Sequence, residues 1–284
     1  MNIIAKALEE AVLRVADEVD KFASEGIGKD VMGPVLGRPE YEDLEIAIDS
    51  VCDRIFVESL SGLGVTIKLY SEHGSQLIGK GDPAYIVTVD PLDGSGLYRR
   101  NIPAEWWTVA SYFDSEEEIL GAVAVDIIRK ELYIADSKNV WMSVIDKENP
   151  QEIRSSDKVN VDNDLTLAAY LMDPVYLQDW IPKTTNMLSK YPGIRIWPNG
   201  GSCIYPWMSR GLIDVYLMFN EPRSEIDPGI GFASASGIGL FEVTESGSVI
   251  PYKFLQNSQS ERVPIFLAAS TQSLAQKVVE SLFS

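Results

Sequence analysis

The stretch Val89-Asp90-Pro91-Leu92-Asp93-Gly94-Ser95 sets two carboxylates, three residues apart, at the end of an apolar run from Ala84 to Val89. The run reads as a buried strand, so Asp90 closes it and Asp93 lies on the turn that follows. Gly94 and Ser95 let the backbone curl into a helix start. Free N–H groups and the positive end of a helix dipole suit a phosphate there. Carboxylates at the same place repel phosphate unless cations lie between. Hard cations such as Mg²⁺ take carboxylate and carbonyl oxygens and bridge to substrate phosphates. The local chemistry fits a metal site set against a phosphate site. Asp and Gly also populate turns for purely local reasons, so this segment alone leaves both readings open.

The elements that must position these residues follow from periodicity. Residues 3 to 22 place Ile4, Leu8, Val12, Val15, Val19 and Phe22 on one helical face, ended by Gly26 and Gly28. Three Gly/Pro breaks make 29 to 41 a loop. A second helix is predicted from Tyr41 to Leu60, with Leu44, Ile48, Val51 and Ile55 inward and Asp49 beside that stripe. Val65, Ile67 and Leu69 alternate as a strand, and Glu72 comes just past it. Segments 108–113, 121–128 and 131–134 read as a meander, and the polar stretch 149–164 as a boundary. Beyond it strands and helices alternate: strand 165–172, helix to Tyr191, strand 193–197, helix 202–210, strand 213–219, a helix from Pro228, two strands and a terminal helix. The expectation is an α+β half over 1–155 that carries most candidate ligands, and an α/β half over 156–284 that closes the site.

The hexapeptide Asp90 to Ser95 resembles the signature of the inositol monophosphatase / fructose-1,6-bisphosphatase superfamily, Asp-Pro-Ile/Leu-Asp-Gly-Thr/Ser. Further marks of that family appear in order: Asp49 on the second helix, Ser71-Glu72 before the signature, Ile102-Pro103 after it, and Glu131 to Ala135 on a hairpin. Gly201-Ser202-Cys203, Asp214 and Asp227 follow. The resemblance implies a layered αβαβα sandwich and a Mg²⁺-dependent sugar-phosphate phosphomonoesterase. It implies that Glu72, Asp90 and the Leu92 carbonyl hold one metal, that Asp90, Asp93 and Asp227 hold a second, and that a third shares Glu72. It further implies that Asp49 and the Ser95 hydroxyl activate a water, and that Gly94 and Ser95 amides hold phosphate. Gly201, Ser202, Asn220 and Glu221 would edge the substrate.

The chain departs from the family pattern at several places. Ile46 stands where the family has Thr, His73 where it has a second Glu, and Ile226-Asp227-Pro228-Gly229 where it has Trp-Asp-X-Ala. The implied substrate is a small sugar or inositol phosphate, or fructose 1,6-bisphosphate. A 3′-phosphoadenosine nucleotide is the alternative, and a non-catalytic metal- or phosphate-binding regulator is the alternative of another class. Arg99, Arg100 and Arg223 are candidates for a second phosphate.

Composition bounds the partners. The chain of 284 residues carries a formal charge of -18, which repels nucleic acid and anionic membranes. No apolar run approaches the ~20 residues of a membrane span. The N-terminus lacks the basic-then-apolar pattern of a signal peptide. Cys52 and Cys203 show no metal-ligand spacing and read as reduced thiols of a cytoplasmic protein. His73, the sole histidine, reads as a surface residue, and Trp106-Trp107 as core. The family resemblance implies a homodimer.

Overall fold

The computed structural model describes residues 2–35, 38–40, 43–147 and 149–283. Helix α1 (Ile3–Glu25) buries a stripe from Ile4 to Val19, is capped by the Asn2 side chain, and ends at Gly26 in the left-handed region. β1 (Val31–Pro34) and β2 (Leu44–Ile46) then pair antiparallel, so a strand stands within the segment expected to be loop. The second helix, α2 (Ala47–Ser61), starts later than periodicity suggests. Its expected first residue, Tyr41, lies outside the described residues. Leu44 belongs to β2 because the next two amides, of Ala47 and Ile48, donate to the carbonyls of Asp30 and Gly28. Those bonds fix the chain in an extended entry, and Asp49 accepts the Ile46 amide at 2.7 Å to open the helix.

Next come β3 (Ile67–Ser71), β4 (Gly74–Ile78), β5 (Tyr85–Asp93), the short helix α3 (Ser95–Arg99), β6 (Trp107–Asp114), β7 (Ile119–Asp126), β8 (Glu131–Ala135), β9 (Val140–Val144) and β10 (Gln151–Ile153). The second part holds β11 (Thr166–Ala168), α4 (Pro174–Lys190), β12 (Arg195–Trp197), α5 (Ile204–Ser209) and β13 (Val215–Pro222). It continues with α6 (Arg223–Ile226), a 3₁₀ turn at Asp227–Gly229, α7 (Ile230–Ser236), β14 (Gly239–Val243), β15 (Val249–Pro251), β16 (Arg262–Ala269) and α8 (Gln272–Leu282). Among the described residues, eight strands form one sheet in the order β10-β9-β8-β7-β6-β5-β3-β4, and six form another in the order β12-β11-β13-β16-β14-β15. β4, β9, β10 and one strand of the C-terminal set are not among the strands that periodicity predicts.

These elements stack as an αβαβα sandwich. α1 and α2 cover one face of the first sheet, α5 and α7 lie between the sheets, and α4 and α8 cover the far face of the second. Two cores result. Val87, Val89 and Leu92 pack toward α1 and α2, whereas Ile86 and Trp107 belong to the larger core shared with the second sheet. β5 is therefore buried on both faces, which explains its continuous apolar run. Among the described residues no helix is long and apolar enough to cross a membrane.

The middle layer is pinned to the first sheet by buried hydroxyls. Thr88 Oγ1 donates to the Asp227 carbonyl at 3.0 Å and Ser111 Oγ to the Pro228 carbonyl at 2.6 Å. Gly231 N donates in turn to Ser111 Oγ at 2.9 Å. These contacts fix how the chain passes from α6 through the turn into α7, and so which way its acids face.

Candidate metal and phosphate site

A spacing of three along a strand puts side chains on opposite faces, which would separate Asp90 from Asp93. The structure resolves this with a bulge. Asp90 pairs with Val109 and Asp93 with Trp107, so β5 carries one residue more than β6 across the step. Both carboxylates then face the same cleft, and with Glu225 they offer oxygens all within 4.8 Å of one another. The extra residue accommodates the Pro91-Leu92 pair, and Pro91 could not donate to a regular ladder there.

The turn after Asp93 closes tightly. Gly94 has φ 90°, and a Cβ on it would lie 2.1 Å from the Glu105 carbonyl oxygen, so only glycine fits. Gly94, Ser95 and Gly96 all line the cleft. As first-turn residues of α3, Ser95 and Gly96 have no intrahelical acceptor for their amides.

The α5 loop orients the two aspartates. Ser202 Oγ donates to Asp90 Oδ2 at 2.8 Å and to Asp93 Oδ2 at 3.1 Å, and Cys203 N donates to Asp93 Oδ2 at 2.8 Å. Gly201 N donates to Tyr216 Oη at 3.0 Å, and that hydroxyl donates to Glu221. A Cβ on Gly201 would sit 2.8 Å from Glu225 Oε2 and 2.9 Å from Asp93 Oδ2, so this glycine lets the acids close together. Asp90 Oδ1 is buried and has no hydrogen-bond partner.

Burial pushes the Asp90 carboxyl well above its usual range, with Asp93 and Glu72 adding to the effect. Burial and then Glu225 raise Asp93 to about 7, against hydrogen bonds from Cys203 and Ser202. Burial raises Glu221 to about 8. Carboxylates so crowded could hold a cation, and the set is all oxygen, which suits a hard divalent ion.

Several expected residues fall into place. Glu72, Leu92, Gly94, Ser95, Gly201 and Glu221 line a cleft of about 420 Å³ with Asp90 and Asp93. Ser202 reaches it through the two aspartates. Others do not. Asp49 is buried behind the cleft, with Oδ2 on the Ile46 amide and Oδ1 unpartnered, and no hydrogen bond joins it to Ser95 among the described residues. Its influence on the site is electrostatic, since it helps raise the Glu72 carboxyl. Asn220 is exposed with its carbonyl on Arg262 and does not line the cleft. Arg223 turns away to Glu242 at 2.7 Å and to the Tyr252 ring. Arg99 and Arg100 do line the cleft.

The largest correction concerns Asp227. Among the described residues neither acidic group includes it. Its Oδ1 accepts from Tyr252 Oη at 2.6 Å and its Oδ2 lies 3.5 Å from Gln259 Nε2. Two residues earlier, Glu225 points into the cleft instead. Sequence reasoning also missed Arg38 and Asp43, which approach from the segment between β1 and β2. The Arg38–Asp43 pair is local, but the other acids that Arg38 meets, Glu72 and Glu225, are remote in the chain, so nothing local places the pair in the cleft. His73, on the turn that joins β3 to β4, is largely buried between Glu45 and Glu72, not exposed as expected. Trp106 and Trp107 are core, and both cysteines are buried and free.

Asp227 makes stability pH-dependent. Burial raises its carboxyl to about 7, against the opposing Tyr252 hydrogen bond and Arg223 charge. A folded value above the unfolded ~3.9 means that stability is fully present at acid pH and is lost as pH rises through about 7. The metal-free protein should therefore melt several degrees lower at pH 8 than at pH 5.5, at roughly 2–4 °C per kcal/mol for a chain of this size. Asp227→Asn, uncharged throughout, should reduce that slope in melting curves, and the raised Asp93 and Glu221 carboxyls should supply the rest. A slope unchanged in the variant would assign the pH dependence to other groups.

The architecture has clear counterparts. The extragenic suppressor protein SuhB of Bartonella henselae superposes with a TM-score of 0.73 at 16% identity, covering 99% of this chain and 98% of its own. The chain has the inositol monophosphatase fold. The Thermotoga maritima IMPase matches this fold at TM-score 0.69 and 16% identity, over 97% of this chain and 96% of its own. The MJ0109 gene product, an inositol monophosphatase-fructose 1,6-bisphosphatase, gives 0.68 at 17% identity, over 96% and 98%. In sequence, 95% of the chain aligns at 20% identity with the bifunctional NADP phosphatase/NAD kinase of Methanococcus maripaludis. The chain spans 48% of that protein's length, about half of it. No protein-family model matches the sequence.

Proposed function

We propose that the protein is a divalent-cation-dependent phosphomonoesterase acting on a small phosphorylated metabolite. The observation that carries this is the Asp90–Asp93–Glu225 group, with the unpartnered Asp90 Oδ1, set beside the glycine turn of α3. Mg²⁺ fits the donor set, and Asp90, Asp93, Glu225 and the Leu92 carbonyl are the groups to hold it. When bound, such an ion lowers the pKa of water and offsets charge on a phosphoryl group.

The chain's own residues do the rest. Ser202 and the Cys203 amide fix the carboxylate orientations, as outer partners of metal ligands do. The Ser95 and Gly96 amides face the position of the phosphoryl oxygens. Glu72, buried at the edge of the cleft, is the carboxylate placed to accept a proton from attacking water. Burial chiefly keeps the proton affinity of Glu72 high, against the Arg38 charge, with Asp43, Glu225 and Asp49 adding to it. Nothing covalent between enzyme and phosphate is required.

The leading substrates are sugar or inositol phosphates and fructose 1,6-bisphosphate. A second reading, a nucleotide carrying a 2′- or 3′-phosphate, is favoured by one feature of the cleft. Tyr170 and Tyr176 meet edge to face with ring centroids 5.4 Å apart, and both line the cleft together with Met172, Arg99 and Arg100. Aromatic faces stack bases, and arginines take further phosphates. The NADP phosphatase activity named for the Methanococcus protein agrees with this reading.

The test is phosphate release from inositol monophosphate, fructose 1,6-bisphosphate, NADP and 3′-phosphoadenosine 5′-phosphate, with Mg²⁺ and after EDTA. Release should occur with Mg²⁺ only. Tyr170→Ala should raise KM for the two nucleotides more than for the sugars if the nucleotide reading holds. Full activity in a verified metal-free sample would overturn the proposal.

A further inference from the structure

Arg38 enters the acidic cleft with a side chain only 8% exposed. Its Nη1 lies 2.5 Å from Asp43 Oδ2, and its Nη2 lies 2.5 Å from Glu225 Oε1 and 2.9 Å from Ser224 Oγ. Glu72 Oε2 is 3.7 Å from the same Nη2. Asp43, Glu72 and Glu225 are themselves a second group whose carboxylate oxygens lie within 4.8 Å of one another. The cleft therefore holds two acidic groups that share Glu225. Its Oε1 faces Arg38, and its Oε2 faces the Gly201 and Asp93 side.

The two groups differ in what balances them. Asp90 and Asp93 are met by neutral donors, the Ser202 hydroxyl and the Cys203 amide. The other group is met by a guanidinium. Burial alone would lower the proton affinity of Arg38, but Glu225, Asp43 and Glu72 raise it further, so it stays charged. A buried charge that touches three opposite charges is retained because removing it leaves them uncompensated.

We propose that Arg38 is a built-in cation: it stands among Asp43, Glu72 and Glu225 where a divalent ion would bind, so the wild-type chain takes up one ion fewer than its carboxylates allow. This rests on reading Asp90, Asp93 and Glu225 as a metal site. The guanidinium fork satisfies two carboxylates with directed hydrogen bonds, which a strongly hydrated ion must first lose water to match. Arg38 then holds Glu225 ionised and oriented for the neighbouring group without occupying that group itself. Two or three ions, the number the family resemblance implies, are reduced by one here.

The experiment counts bound Mn²⁺ per chain from the electron paramagnetic resonance signal of free Mn²⁺, in wild type, Arg38→Gln and Arg38→Lys, beside melting curves. Arg38→Gln should bind one further Mn²⁺ per chain, and Arg38→Lys, which keeps a charge, should match wild type. Metal-free Arg38→Gln should melt below wild type, and added Mn²⁺ should close that gap because the ion binds the folded state. If Arg38→Gln does not fold without metal, its refolding by Mn²⁺ supports the proposal, and failure to refold overturns it. Equal, non-zero counts in wild type and Arg38→Gln would overturn the role of Arg38 and leave the metal site standing. A count of zero in wild type but not in Arg38→Gln would overturn the metal reading of Asp90 and Asp93 alone. Zero in both would overturn both.

Discussion

Asp90→Asn should abolish measurable phosphate release while leaving the protein folded. Asp90 is 4% exposed, and its Oδ2 accepts from Ser202 at 2.8 Å. Asparagine keeps one oxygen for that hydroxyl and nearly the same volume, so packing survives. What disappears is a negative charge at the centre of the acidic cluster. Losing an outer partner of a metal ligand costs ~10–100-fold in affinity or activity, and a ligand itself costs more. Turnover should fall by more than that range even at saturating Mg²⁺. Stability should move the other way. Burial, Asp93 and Glu72 all disfavour the Asp90 carboxylate, so a neutral side chain relieves that repulsion without metal. The metal-free variant should melt at or above wild type near neutral pH. Wild-type turnover would show that Asp90 is a structural acid. Lost turnover together with a lower melting point would mean that the charge served the fold.

That opposition between function and stability marks which residues were legible in the sequence. Asp90, Asp93 and Gly94 lie on one short segment, and their chemistry conflicts with a buried strand end, so the segment declares itself. The bulge that makes the two aspartates convergent is implicit in Pro91 and the odd spacing, but the register that realises it belongs to β6. Asp49 was legible as an acid beside the inward stripe of the second helix. Its role was not, because its partner is the Ile46 amide that opens α2. The alternation of strands and helices conveyed an α+β half and an α/β half, since buried parallel and central strands need apolar runs whatever their neighbours, whereas the αβαβα layering was implied by the family resemblance. β1 and β2 were invisible for the opposite reason. They are short, β1 is largely exposed, and the chain after β2 is held by the Ala47 and Ile48 amides on Asp30 and Gly28. Arg38 and Asp43 pair with each other five residues apart, but what brings them to the site is Glu72 and Glu225, which are remote in the chain.

The sharpest case is Glu225-Ile226-Asp227, where two acids flank a buried isoleucine and only one can face the cleft. Their spacing of two puts them on opposite sides of a helical turn. Thr88 and Ser111 decide which, because they hold the Asp227 and Pro228 carbonyls against the first sheet. Asp227 is thereby directed to Tyr252, and Glu225 to Asp90 and Asp93. Glu225→Gln should consequently raise the Mg²⁺ concentration for half-maximal activity by more than ~10-fold, since a hard cation loses a charged ligand. It should also loosen Arg38, because Nη2 loses its charged partner at 2.5 Å. Asp227→Asn should leave the Mg²⁺ midpoint within about twofold of wild type, as expected for a side chain outside the ligand set. Its Oδ1 would still accept from Tyr252, so the turn into α7 should keep its place. Mg²⁺ titrations of activity on the two variants, run in parallel with melting curves, separate the roles. A shifted midpoint in Asp227→Asn with an unchanged one in Glu225→Gln would return the ligand to Asp227. It would also require α6 to rotate when metal binds, breaking the Tyr252 contact seen here.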